Sequence, residues 1–153
     1  MPTTESSHAS NEAELRRLIA DQMSAISARD VDRIMSFYAA EVVVFDVKPP
    51  FQTVGSKAWR RTWEECLPYL PASFRTETRD LRLTVNGDLA LAHWIWRFTD
   101  LPKNHPAAQT WMRNTAGYRK IRDRWQIVHE HGSVPFDPET LLAEFTLEPE
   151  TNK

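Results

Sequence analysis

One cysteine, Cys66, stands in a chain of 153 residues. An internal disulfide framework is therefore excluded, and the usage fits a reducing cytoplasm. Long apolar runs are missing too. Nothing approaches the ~20 residues of a membrane-spanning helix, and the opening MPTTESSHAS has no apolar core of the signal-peptide kind. The expectation is a soluble cytoplasmic protein with no membrane partner. Nor does charge of one sign accumulate: nineteen Lys and Arg face twenty-one Asp and Glu, for a formal net charge of −2. Such a balance supplies no basic field for a phosphate backbone, so nucleic acid is not expected as a partner. No internal repeat or low-complexity segment interrupts the pattern.

What is present is a 41% apolar content in one domain's length, enough for a core without staples. Residues 1–10 are polar and read as a disordered arm, 11–137 as a single domain, and 138–153 as a short C-terminal helix and tail. From Asn11, with Glu14 placed for a capping box, Leu15, Leu18, Ile19, Met23 and Ile26 recur at helical spacing. Asp30 offers a second cap before Val31, Ile34, Met35 and Tyr38. The run Val42–Val47 reads as a short strand with Asp46 near its exit, stopped by Pro49 and Pro50. Ser56 caps a third helix carrying Trp59, Trp63 and Leu67 on one face.

Phe74–Val85 and Leu89–Thr99 follow as strands joined at Asn86-Gly87, a pair that tolerates positive φ in a tight turn. Gln109–Ile121 and Trp125–Val134 form another pair around Arg122-Asp123-Arg124, and Gly117 predicts a bulge that bends the sheet. Asp137-Pro138 resembles a capped helix start, which places a terminal helix over Leu141–Phe145. The order predicts an α+β domain with helices gathered on one face of a curved, mainly antiparallel sheet that encloses a pocket.

Three stretches, Ser27-Ala-Arg-Asp30, Val42-Val-Val-Phe-Asp46 and Trp125-Gln-Ile-Val-His-Glu-His-Gly-Ser-Val-Pro135, resemble the nuclear transport factor 2-like superfamily. The likeness is strongest to its SnoaL-like branch of ketosteroid isomerase homologues. The His-x-His-x-Ser pattern is also similar to the end of the association domain of calmodulin-dependent kinase. The resemblance implies a conical, cystatin-like α+β fold, a deep pocket and a homodimer through the outer sheet face. It implies no one chemistry.

By that resemblance Asp46 stands where the isomerases keep a proton-shuttling aspartate, and an apolar pocket mouth would raise its pKa toward useful basicity. The bland alternative is a carboxylate that accepts from the loop behind it. The isomerases' tyrosine position falls on Gln22 and their acid position near Ala116, so the usual enolate donors are absent.

His129 and His131, two apart in a strand, share one face with Cα atoms about 6.6 Å apart. They are candidate proton donors, or else braces of the last strand or its interface. A metal reading needs a third ligand such as His93 or Asp46, and no His-x-x-x-His or Cys-x-x-Cys spacing supports it. No metal and no cofactor is expected.

Strand 89–99 alternates His93, Ile95 and Arg97 with Trp94, Trp96 and Phe98. By analogy with the kinase domain, Arg97 faces the pocket and the tryptophans face a partner; the alternative for Arg97 is an ion pair at the sheet edge. With Arg97, the residues His93, Gln22, Trp59, Trp63 and Met112 complete the candidate substrate lining. The sequence thus predicts a small-molecule-binding protein with acid-base chemistry of isomerase, cyclase or hydratase type. A non-catalytic binding or assembly module is the alternative.

Overall fold

The computed structural model of the protein describes residues 3–150. Its order is α1 (Thr4–Ser27), α2 (Val31–Met35), β1 (Tyr38–Phe45), β2 (Thr53–Val54), α3 (Ser56–Cys66), β3 (Arg75–Asn86), β4 (Leu89–Thr99), β5 (Met112–Ile121) and β6 (Arg124–Ser133). The strands form one curved sheet in the order β2-β1-β6-β5-β4-β3. All neighbours are antiparallel except β1 and β6, which run parallel. This is the expected α+β architecture. Among the described residues no helix is long and apolar enough to cross a membrane.

The expected apolar stripe of α1 is buried: Leu15, Ile19, Met23 and Ile26 are at most 8% exposed. Removing such side chains from water is the main stabilising term in the core they share with Ile34, Trp94, Tyr118 and Ile127. The helix begins at Thr4, however, and its exposed first turns take in residues assigned above to a disordered arm. Thr3 rather than Asn11 is its N-cap, accepting from the Ser6 amide at 3.3 Å. Asn11 instead accepts from Lys120 Nζ at 3.1 Å. Asp30 caps α2 as expected, accepting from the Arg33 amide at 3.0 Å.

Tyr38 opens β1 instead of closing α2, because the Phe37 carbonyl is captured by the Ile127 amide at 2.8 Å and the chain joins the sheet there. Gly55 takes the N-cap position of α3 predicted for Ser56, at φ 89° and ψ 148°, a conformation open essentially only to glycine. The β3–β4 turn consists of Gly87 and Asp88, one residue later than expected, since Asn86 still pairs with Leu89. Residues 141–145 are not helical. Leu141 takes φ 61°, and the segment folds back through Asp137 N–H to Leu142 O and Glu144 N–H to Pro135 O, both 2.8 Å.

Bulges decide which side chains enter the core. Opposite Gly117 and Tyr118, one step on β5 meets two on β6: Tyr118 pairs with Ile127 and Gly117 with His129. Val128 is the extra residue. A bulge of this kind inverts the inward and outward alternation beyond it.

Candidate active site

The parallel pairing sets Val44 beside Glu130 and Phe45 beside His131. Val42 and Val44 point inward and are at most 1% exposed, so Asp46, two residues on, continues in the same phase. There it reaches a cavity of about 200 Å³ whose walls are largely aromatic: Trp59 and Trp63 from α3, Trp96 and Phe98 from β4, with Met112 from β5. Trp59 and Trp63 are one helical turn apart and meet edge to face at 5.9 Å. Asp46 is half-buried at the mouth, which it shares with an outer depression lined by Phe45, the prolines and His131. Glu130 lies deeper in the same cavity.

Glu130 is held by three donors. Tyr38 Oη donates to its Oε1 at 2.6 Å, while Gln22 Nε2 at 3.2 Å and Asn114 Nδ2 at 3.4 Å donate to Oε2. Gln22 Nε2 is also 3.1 Å from Tyr38 Oη, which accepts. No Arg, Lys or His among the described residues forms an ion pair with Glu130. Burial therefore raises its pKa; the three hydrogen bonds act against that rise, and the Asp46 charge adds to it. Burial likewise lifts the Tyr38 and Tyr118 hydroxyls well above the usual phenol range, with the Glu130 charge reinforcing both. Two inward polar atoms, Gln22 Oε1 and Tyr118 Oη, are buried without a partner among the described residues.

Asp46 combines the two readings offered by its position. Desolvation in the aromatic pocket raises its pKa, opposed by the Val47 amide, which donates to Oδ1 at 2.8 Å, and by the Lys48 charge. It is both a pocket carboxylate and an acceptor for its own loop.

Of the candidate lining residues, Trp59, Trp63 and Met112 lie on the cavity wall. Gln22 is inward, behind Glu130 rather than on the open wall. Four other expectations are corrected. His129 and His131 lie on the outer face, because the Val128 bulge reverses the phase set by Trp125 and Ile127 and sends Glu130 inward in their place. His129 Nδ1 donates to the Val43 carbonyl at 2.7 Å, and both imidazoles stand edge-on to Phe45, at 4.7 and 5.4 Å.

Arg97 is also outward. Its Nη2 is 2.9 Å from Glu77 Oε2 and its guanidinium lies 4.6 Å from the Trp111 ring centroid, the sheet-surface ion pair given above as the alternative. His93 is exposed beside Arg82. The tryptophan face of β4 looks into the core and pocket rather than toward a partner, with Trp94 only 2% exposed. Among the described residues no three His, Cys, Asp or Glu side chains converge as a metal-binding group.

Sequence reasoning missed Glu130, Asn114 and Tyr38 as one network. Its only trace was Gly117, whose bulge was read as a bend and not as a change of phase.

A helix-backed curved sheet around a pocket with two carboxyls places the protein in the nuclear transport factor 2-like, cystatin-like class. The family model for the SnoaL-like domain matches residues 15–137, and the chain belongs to that family. A nuclear transport factor 2-like protein of unknown function from Pseudomonas putida is 38% identical over 92% of this chain and 98% of its own, with a TM-score of 0.85. At lower identity the fold alone is shared. A protein provisionally named as a dehydratase, from Streptomyces avermitilis, is 14% identical over 82% and 97% of the two chains, with a TM-score of 0.70. The association domain of CaMKII from C. elegans is 18% identical over 83% and 98%, with a TM-score of 0.67. No curated protein matches the chain in sequence.

Proposed function

We propose that the protein is an enzyme of proton transfer, performing an isomerisation, cyclisation or hydration step on a small, mostly apolar molecule. The observation that carries this reading is the pair of carboxyls, Asp46 and Glu130, in one cavity walled by aromatic side chains. Asp46, with its pKa raised by desolvation, takes a proton from the substrate at the mouth. Glu130 takes the role that sequence reasoning gave to His129 and His131. In its protonated form, which burial favours, it presents an O–H to a substrate oxygen, while Tyr38, Gln22 and Asn114 fix its orientation. The provisionally named dehydratase among the fold relatives agrees with this class of chemistry.

The test uses α-tetralone, an aryl ketone with exchangeable protons beside its carbonyl, in deuterated buffer. The protein accelerates deuterium incorporation, and Asp46→Asn lowers the rate by about 10²- to 10⁴-fold, the usual contribution of a general base. Equal rates for a folded Asp46→Asn variant overturn the assignment.

A second reading, assembly without turnover, draws on the kinase association domain among the relatives and on the outer sheet face, where Leu89 and Leu91 are 54% and 50% exposed. A homodimer through that face is the expected arrangement, and sedimentation equilibrium at a single-chain mass counts against it. The free thiol of Cys66 suits a cytoplasmic location.

A further inference from the structure

Beside the aromatic cavity lies a second one of about 210 Å³. The two share Val47, Phe98 and Met112 as walls. Beyond them the second chamber, which opens to solvent, is lined by Ala107 on the β4–β5 loop, Val134 after β6 and the half-exposed Phe145 on the C-terminal segment. Its one polar side chain, Thr110, is already engaged, with Oγ1 donating to the Pro106 carbonyl at 3.4 Å. A ligand group entering there meets no hydrogen-bonding demand, which suits hydrocarbon and penalises a polar group.

The walls are pinned from several sides. His105 accepts the Ala107 amide at Nδ1 (3.1 Å), which leaves Nε2 to donate to the Tyr69 carbonyl (3.0 Å) and ties the loop to the 3-10 turn that follows α3. Phe145 is bracketed by the Glu144 amide on Pro135 O and by Trp111 Nε1 donating to Glu148 Oε2 at 3.3 Å. Met112, an unbranched thioether able to change rotamer at little cost, stands between the chambers.

We propose that the two cavities form one ligand site, and that the ligand is an elongated amphipathic molecule with an oxygen-bearing ring between Asp46 and Glu130. Its unbranched apolar chain passes Met112 into the chamber lined by Phe145. The placement of the ring rests on the function proposed above; the placement of the chain rests on the second cavity alone.

Phenol and its 4-ethyl, 4-butyl and 4-hexyl derivatives, titrated calorimetrically into the full chain, test the proposal. Affinity is expected to rise about three- to fourfold per methylene as the chain fills the chamber. Ala107→Phe, on a half-buried loop position, fills the chamber: phenol binds as before and the chain-length gain disappears. Phe145→Ala opens the wall and reduces the gain.

Affinities independent of chain length, or a gain that survives in Ala107→Phe, overturn the chamber. Alkylphenols that bind equally well as their methyl ethers and in Glu130→Gln overturn the placement of the ring while leaving the chamber standing. A series in which no member binds overturns both.

Discussion

Tyr38 and Tyr118 are both buried tyrosines, 5% and 1% exposed, near the same carboxyl, and their hydroxyls should have opposite energetic value. Tyr38 Oη donates to Glu130 Oε1 at 2.6 Å and accepts from Gln22 Nε2, whereas Tyr118 Oη has no partner among the described residues. Phenylalanine fills either position without leaving a cavity, so the substitution isolates the hydroxyl. Tyr38→Phe removes a hydrogen bond to an acidic group, worth about 1.5–3 kcal/mol when that group is ionised and about 1 kcal/mol when it is neutral. Tyr118→Phe removes a desolvated hydroxyl with nothing to lose, and is expected to be neutral or slightly stabilising.

The pH dependence sharpens the contrast. Glu130 has a raised pKa in the folded state, so its favourable contribution is fully present below the unfolded carboxyl value and is lost as pH rises through the folded one. Removing the Tyr38 donor, which favours the ionised form, raises the folded value further. The destabilisation by Tyr38→Phe should therefore grow by about 1 kcal/mol from mildly acid to mildly alkaline pH. At about 2–4 °C per kcal/mol for a chain of this size, calorimetric melting should show a loss of roughly 4–10 °C at pH 8 and a smaller one at pH 4. Equal effects of the two substitutions, or a Tyr38→Phe penalty that does not change with pH, would refute the network as described.

Glu130→Gln keeps an acceptor for Tyr38 and removes the buried charge, so its melting temperature at pH 8 should exceed that of the parent protein and its pH profile should be flatter. For tetralone exchange, kcat/KM should rise with pH through an inflection above the ordinary aspartate range, in keeping with the raised Asp46 pKa. His131→Ala, on the outer face, should leave that rate within twofold. Gly55→Ala forces a side chain into φ 89°, ψ 148° and should destabilise by about 1–3 kcal/mol although the new methyl meets the Ala40 carbonyl at an unstrained 3.7 Å, read by urea unfolding.

Much of the fold was legible because its signals are local. The α1 stripe, the Asp30 cap, the strand spans of β4 and β6 and the Arg122-Asp123 turn each follow from periodicity or turn chemistry within a dozen residues. The failures are places where a distant partner overrides such a signal. Tyr38 continues the helical spacing of Ile34 and Met35, yet Ile127, far along the chain, claims the preceding carbonyl for the sheet. Asp137-Pro138 resembles a helix start, yet the segment closes on Pro135 instead. The site suffered most from one residue. Continued from Trp125 and Ile127, the alternation of β6 carries His129 and His131 inward, and a single extra residue at Val128 exchanges them for Glu130. No local rule favours a buried glutamate; its donors come from 16, 92 and 108 residues away.

That exchange also explains why the interior is assembled at some expense to stability. A buried carboxyl without a cationic partner destabilises the folded state whenever it ionises. Gln22 Oε1, Tyr118 Oη and the indole N–H groups of Trp59, Trp63, Trp94 and Trp125 are likewise buried without partners among the described residues, each at about 1–3 kcal/mol if never satisfied. A core selected only for packing would replace several of them with Leu or Phe. Two of the six, Trp59 and Trp63, line the cavity that also holds Asp46 and Glu130, and an indole N–H without an internal partner there is a donor held for a ligand. On that argument, ligands that engage these groups should raise the melting temperature by more than their apolar area alone predicts.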